Sequence, residues 1–314
     1  MKFDSLRRPL LALAALAALL GGCITESDAG DAGDADAGAR QGLPVGGAGG
    51  GAVADCPGAP AGASAQAAAA LSATNAVRRA SGAPCATMVP ELNAGADGHC
   101  AYFAANAGTP ACVANPHVEV DGCAAFYAAN WDERARKGGY TGSPDSENMH
   151  FVGDGAGAVA GWLDTIYHRY PLLNPWALDL GYGGTSGCDT MDFGVGAGGA
   201  TPASTLVVYP YDGQTGVPLS FSGAESPAPP APPAGWPSGY PIVVYLRGEV
   251  STISVTDTTT GAVLPTQVVP KLSWQPNAVF FYTDTPFAPA TTYEVEVTGN
   301  NGADFTKTWS FTTR

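Results

Sequence analysis

Four stretches between residues 64 and 195 carry apolar side chains at helical spacing. SAQAAAALSATNAVRRAS (64–81) is an Ala-rich helix pattern, and MVPELNAGADGHCAYFAANAG (88–108) is a second, carrying Leu92, Tyr102 and Phe103. CAAFYAANWDERARKGGY (123–140) sets Phe126, Tyr127, Trp131 and Ala135 near helical spacing and stops at a Gly-Gly pair. In AGAVAGWLDTIYHRYPLL (156–173), Val159, Trp162, Leu163 and Ile166 fall at i, i+3, i+4 and i+7, a core stripe that Pro171 ends. Two short runs follow, LDLGYGG and CDTMDFGVG, which read as strands joined by a Gly/Ser turn. Helices followed by a small sheet predict an α+β layer fold.

From about residue 203 the period changes to two. LVVYPY, PIVVYLR, STISVTD, AVLPTQVVPKL, NAVFFYTDT, YEVEVTG and TKTWSFTT are β-rich runs separated by turn signals. In YEVEV, Tyr293, Val295 and Val297 point one way, Glu294 and Glu296 the other. Six or seven strands in about 110 residues predict an all-β, Ig-like sandwich over 201–314. The Pro-rich segment SPAPPAPPAGWP (226–237) reads as a loop or spacer, not a strand.

The N-terminus changes the picture of location. Lys2, Arg7 and Arg8 precede an apolar run, Leu10 to Leu20, and then Leu20-Gly21-Gly22-Cys23. The run is shorter than the roughly 20 residues a membrane-spanning helix needs and fits a signal peptide over 1–22. Small residues before Cys23 resemble the lipobox of bacterial lipoproteins, which implies acylation of Cys23 and a membrane anchor in the cell envelope; simple secretion is the alternative. Residues 23–63 are mostly Gly, Ala and Asp and read as a flexible acidic tether. The remaining cysteines, Cys56, Cys85, Cys100, Cys112, Cys123 and Cys188, are an even set in an exported chain and predict up to three disulfides, with pairing left open. The net charge of -14 disfavours nucleic acid as a partner. The chain reads as a monomer.

The polar residues left over by the helix pattern are the candidate chemistry. All four histidines lie between 99 and 168. His117 follows Asn115-Pro116, Glu147 follows a turn, and His168 precedes Pro171, so each falls at the end of an element. Two imidazoles and a carboxylate suit zinc or another divalent cation. His99 reads as a packed helix residue, His150 as exposed, and Asp132, Glu133, Arg134 and Arg136 as a solvated helix face. Asp189 and Asp192 are further carboxylates that nothing in the pattern selects. GDGAGAVAG lacks the Lys-Ser/Thr of a phosphate loop.

In order along the chain stand Asn75-Ala76-Val77-Arg78, His99-Cys100, His117, Arg134, Gly139-Tyr140, Glu147-Asn148, Trp162, His168-Arg169 and Gly181-Tyr182-Gly183. This series resembles the CAP superfamily (SCP-like extracellular, cysteine-rich secretory, antigen 5 and pathogenesis-related type) over about residues 64–200. The resemblance implies a CAP-type α-β-α sandwich with a cleft lined by two histidines and two acids, to which His117, Glu147 and His168 correspond. A glutamate is common three residues after the Trp, where this chain has Thr165, with Asp164 adjacent as a further candidate; Ser146 replaces a usual glycine. Three functions follow as expectations. The first is a lipid-anchored module whose cleft binds a lipid, sterol, peptide or envelope component. The second is a metal-dependent hydrolase or peptidase with His117 and His168 on the metal and Glu147 as catalytic base. The third is a structural display protein.

Overall fold

The computed structural model describes residues 55–196 and 201–314; the expected signal peptide, Cys23 and most of the expected tether lie outside them. The first part runs α1 (Ala65–Ala80), β1 (Thr87–Met88), α2 (Pro90–Asn106), α3 (Trp131–Lys137), β2 (Ser143–His150), α4 (Gly155–Leu163), α5 (Arg169–Leu173), β3 (Asp179–Thr185) and β4 (Cys188–Val195). Its sheet has the order β1-β3-β4-β2; β1 joins β3 in parallel and the other pairs are antiparallel. The second part holds β5 (Val207–Tyr209), β6 (Gln214–Val217), β7 (Ser220–Phe221), β8 (Ser238–Gly239), β9 (Ile242–Tyr245), β10 (Glu249–Asp257), β11 (Thr266–Val268), β12 (Ala278–Thr283), β13 (Thr292–Asn300) and β14 (Asp304–Thr313). These make two four-stranded sheets, β10-β13-β14-β6 and β11-β12-β9-β5, and a β7-β8 pair.

Local chemistry accounts for most elements. Ser64 caps α1 by accepting the Ala67 N–H, and Pro90 opens α2, where a missing N–H costs nothing. On β3, Gly181 and Gly183 share one face, and a Cβ on either would fall 2.2–2.3 Å from the backbone of Leu92 or Ala96. Glycine at both positions lets α2 lie directly on the strand. The six cysteines form Cys56–Cys85, Cys100–Cys188 and Cys112–Cys123, so this part of the chain matures in an oxidising, extracytoplasmic compartment. No helix among the described residues is long and apolar enough to cross a membrane.

Three expectations are corrected. The helix expected over 123–140 begins only at Trp131, where Asn130 caps it by accepting the Glu133 N–H. The residues before it are held as loop by the Cys112–Cys123 bridge and by Glu119, which accepts the N–H groups of Tyr127 and Ala128. Glu147, expected just after a turn at the end of an element, lies within strand β2, which has a register shift between Pro144 and Ser146. The single Trp162 helix is two: α4 ends at Leu163 and α5 starts at Arg169. Between them the N–H groups of Ile166, Tyr167 and His168 turn to the Glu225 carboxylate of the second part. Pro171 therefore lies in the first turn of α5 rather than at a helix end.

Burial along the strands tells which faces are covered. β13 alternates as expected, with Tyr293, Val295 and Val297 buried and Glu294 and Glu296 exposed. β9 and β12 are buried at every residue, so both faces of that sheet are covered. Tyr245 of β9 donates its hydroxyl to the carbonyls of Arg169 and Tyr170, and Tyr240 donates to Leu163, so the first part is one of the covers. One apolar core runs from α1 through α4 into the β-sheets.

Arg169 is the polar pin of this junction. It is fully buried, with its guanidinium 4.8 Å from the Tyr209 ring and 4.7 Å from the Tyr240 ring, and it donates to the carbonyls of Leu163 and Pro241. Arg169→Ala strands both carbonyls and empties the slot between the rings. It is expected to lower the unfolding free energy by about 3–5 kcal/mol, read from urea denaturation of the full chain. Arg169→Lys should recover less than half, because an ammonium cannot fill the planar slot. A loss below about 1 kcal/mol for the alanine variant would remove Arg169 from this role.

Candidate functional site

Two histidine–carboxylate pairs have a partly exposed ring, His117–Glu147 and His168–Glu225, and a third, His99–Glu119, is fully buried. In the first, His117 Nδ1 lies 2.9 Å from Glu147 Oε1, and Arg134 donates to Glu147 Oε2 at 2.5 Å. Glu147 is supplied by β2 and Arg134 by α3, and both side chains are buried, while His117 is 37% exposed. Arg134, expected on a solvated face, is the inward residue of α3; Asp132, Glu133 and Arg136 are exposed. Behind it lies His99, fully buried as expected. Its Nδ1 faces Glu119 Oε1 at 2.9 Å and its Nε2 faces the Pro116 carbonyl at 2.8 Å. A carboxylate and a backbone carbonyl thus hold the ring from both sides.

Asp192 completes this network from β4, directly opposite Glu147 in the β2–β4 register. Both of its oxygens are buried and neither receives a hydrogen bond from a protein donor. Burial, and then the negative charge of Glu147, push the Asp192 carboxyl well above the usual range. For Glu147, burial acts in the same upward direction, but the His117 hydrogen bond and the charges of Arg134 and His99 outweigh it, and the group is held at about 2. The pair is thus split: its surroundings favour the charged form of Glu147 and oppose that of Asp192.

The second pair joins the two parts of the chain. His168 Nδ1 lies 2.8 Å from Glu225 Oε1. Glu225 is enclosed, and it also accepts the three backbone N–H groups of the helix break at 2.7–2.9 Å. His168 Nε2 has no protein partner among the described residues. Beside it opens a small cleft of about 60 Å³, walled by Met149, Phe151 and Trp162 with Thr165, His168 and Ser226 supplying polar groups. Trp162 donates its indole N–H to the Met149 carbonyl, which fixes the ring as a wall. His150, expected to be exposed, lines the same cleft, half-buried and edge-on to Trp162.

The expected triad is therefore brought together only in part. His117 and Glu147 meet; His168 is joined to them through Asn148, which donates to the His168 carbonyl, and takes a different carboxylate. Asp164 lies on the exposed side and accepts the Tyr240 hydroxyl. Among the described residues no three His, Cys, Asp or Glu side chains are grouped to hold a metal ion. Glu225 was missed from the sequence because it sits just before a Pro-rich loop, far along the chain. The one available signal was its place as a lone acid in SFSGAESPAPP.

No protein-family model matches the chain, and no curated protein matches it. Solved structures similar to it include an extracellular protein containing an SCP domain from Bacillus anthracis, at 22% identity and TM-score 0.37 over 42% of this chain; the chain spans 40% of that structure's length. PcoC, a copper resistance protein from Escherichia coli, is similar at 17% identity and TM-score 0.23 over 34% of this chain and 95% of its own. CopC from Methylosinus trichosporium is similar at 20% identity and TM-score 0.20, over 30% of this chain and 92% of its own.

The acid pair gives a signed pH prediction. A carboxyl that keeps its proton in the fold costs nothing below its unfolded value near 3.9 and destabilises progressively as pH rises through the window up to its raised folded value. Glu147 acts oppositely: its contribution is full above about 4.5 and is lost as pH falls toward about 2. Asp192→Asn removes the first effect. Its stability relative to wild type should grow by up to about 1.4 kcal/mol per pH unit between pH 5 and 7, measured by urea denaturation at both values. A pH-independent difference would show that Asp192 is ionised in the fold.

Proposed function

We propose that the chain is an exported envelope protein, anchored through Cys23, in which a CAP-type domain over 64–200 and an Ig-like domain over 201–314 form a ligand-binding unit. The observation that carries this reading is the small open cleft of about 60 Å³, wide enough to take one end of a ligand, with Met149, Phe151 and Trp162 as walls and His168, Thr165 and Ser226 as polar groups. Apolar walls with a few convergent polar groups suit a small molecule with an apolar body and one polar end, and lipids and sterols are of that kind. Peptides and other envelope components belong to the same proposal only through a side chain of that shape. The CAP-type reading is supported by where the family-like residues sit: Asn75, Arg78, His99, Arg134, Glu147, Asn148, Trp162, Arg169 and Tyr182 are all buried and hold neighbouring elements together. The lipobox resemblance supports the anchor, and the disulfides support an envelope location.

The metal-dependent hydrolase is the weaker alternative, because its ligands do not converge as a group of three. A purely structural display role has no use for an open apolar cleft.

Filling the cleft tests the proposal. Thr165 lines it and its hydroxyl bonds only to the Trp162 carbonyl of its own helix end. Thr165→Phe is expected to weaken binding of fluorescent sterol and fatty-alcohol probes at least about tenfold, or about 1.4 kcal/mol, with the melting temperature little changed. Absence of saturable binding to the wild-type ectodomain, or equal binding by the variant, would sink this reading.

A further inference from the structure

The carboxylate beside His168 does not come from the first domain. It is delivered by the turn that leads from β7 into the Pro-rich loop. Gly223 sits at φ +79 with the Trp236 ring packed where a Cβ would go, and the Glu225 N–H closes a tight turn on the Gly223 carbonyl. Trp236 is itself fixed against Phe221 and Tyr282, with ring centroids 5.4 and 5.6 Å away, so the loop has a rigid base. From there Glu225 enters the helix break, accepts three backbone N–H groups, and is enclosed.

Four donors converge on this one carboxylate. The fourth is the His168 ring, and the consequence concerns its other nitrogen. An acceptor-only oxygen 2.8 Å from Nδ1 places the ring proton there. Nε2 is then the lone-pair nitrogen of the neutral ring, on a side chain that lines the cleft.

We infer that Glu225 is a positioning residue by which the second domain fixes His168 as a hydrogen-bond acceptor in the first domain's cleft, selecting apolar ligands that end in a donor, such as an alcohol, over those that end in a carboxylate. This rests on the ligand-binding reading of the cleft. Among the other polar residues of the cleft, Ser226 and Thr165 carry hydroxyls that accept as well as donate, so they do not oppose the choice, and His150 stands edge-on to Trp162. A carboxylate terminus would meet a lone pair at His168 and the buried negative charge of Glu225 directly behind it.

The test has a readout that needs no ligand. At about pH 8, above the usual imidazole range near 6.5, ring nitrogen chemical shifts of the full ectodomain, assigned with His168→Gln, should show His168 protonated at Nδ1. In Glu225→Gln the amide can turn its NH2 toward Nδ1, and the His168 tautomer population should move toward Nε2–H. A wild-type ring protonated at Nε2 overturns the inference, and that measurement stands even where the variant does not fold. Binding of 1-decanol and decanoate is then compared. The alcohol should bind at least about tenfold tighter to wild type, a difference of about 1.4 kcal/mol, and the preference should shrink to about threefold or less in Glu225→Gln. Equal binding of both probes by wild type overturns the selectivity. The expected tautomers with no saturable binding of either probe would uphold the positioning role and overturn the ligand-binding reading instead.

Discussion

The structure depends on one buried carboxylate at a break in a helix. Three backbone N–H groups that would otherwise point along a continuous Trp162 helix are gathered by Glu225. An enclosed carboxylate is costly unless its lone pairs are met, and here two oxygens receive four donors. The break redirects the chain so that Arg169 enters the slot between Tyr209 and Tyr240. Removing the carboxylate would leave three buried donors, a turned helix without a reason to turn, and a histidine without an orientation. The two parts of the chain therefore share more than an apolar boundary: the second part decides the backbone path of the first.

The first part solves its own charge problem differently. His99, Glu119, Arg134, Glu147, Asp192 and His117 form a chain of buried or half-buried groups linking α2, α3, β2 and β4. Its three acids lie close together, and burial with the negative charge of Glu147 raises the Asp192 carboxyl well above the usual range. Gly95 of α2 approaches this acid closely, since a Cβ there would sit 3.3 Å from its Oδ2 and 3.2 Å from the Arg134 backbone. The helix covers the acid and keeps water from it, which is why ionisation is opposed by burial before any neighbouring charge acts.

Much of the fold was legible in the sequence because hydrophobic period and local signals carry it. α1, α2, β3, β4, β9, β12, β13 and β14 lie where alternation or helical spacing put them. The failures share a cause. The early start expected for α3 ignored a disulfide and the side chain of Glu119, which hold residues 123–130 open. Strand β2 is built from Ser, Pro, Asp, Glu and Asn, residues of low strand propensity, and it exists because β4 offers a pairing edge. The Trp162 stripe is a sound helix pattern to Leu163, and what stops it there is a carboxylate nearly sixty residues on. Half of the site was legible for the same reason: His117 and Glu147 belong to one layer and meet in it, whereas the partner of His168 is fixed by tertiary packing alone.

Thr165 shows what the substitution at that position amounts to. The resemblance to CAP proteins assigns a glutamate three residues after the tryptophan; this chain has a threonine whose hydroxyl closes back on the Trp162 carbonyl. That bond suits the last turn of a helix that stops, and a glutamate in a continuing helix would suit one that does not. With α4 ending early, residue 165 no longer lies on a helical face beside His168, and the space for a carboxylate is filled from outside by Glu225, which lines the cleft together with Thr165. The anion that orients His168 arrives instead from the second part of the chain, and it finds its remaining hydrogen bonds because the helix has opened its N–H groups to receive it.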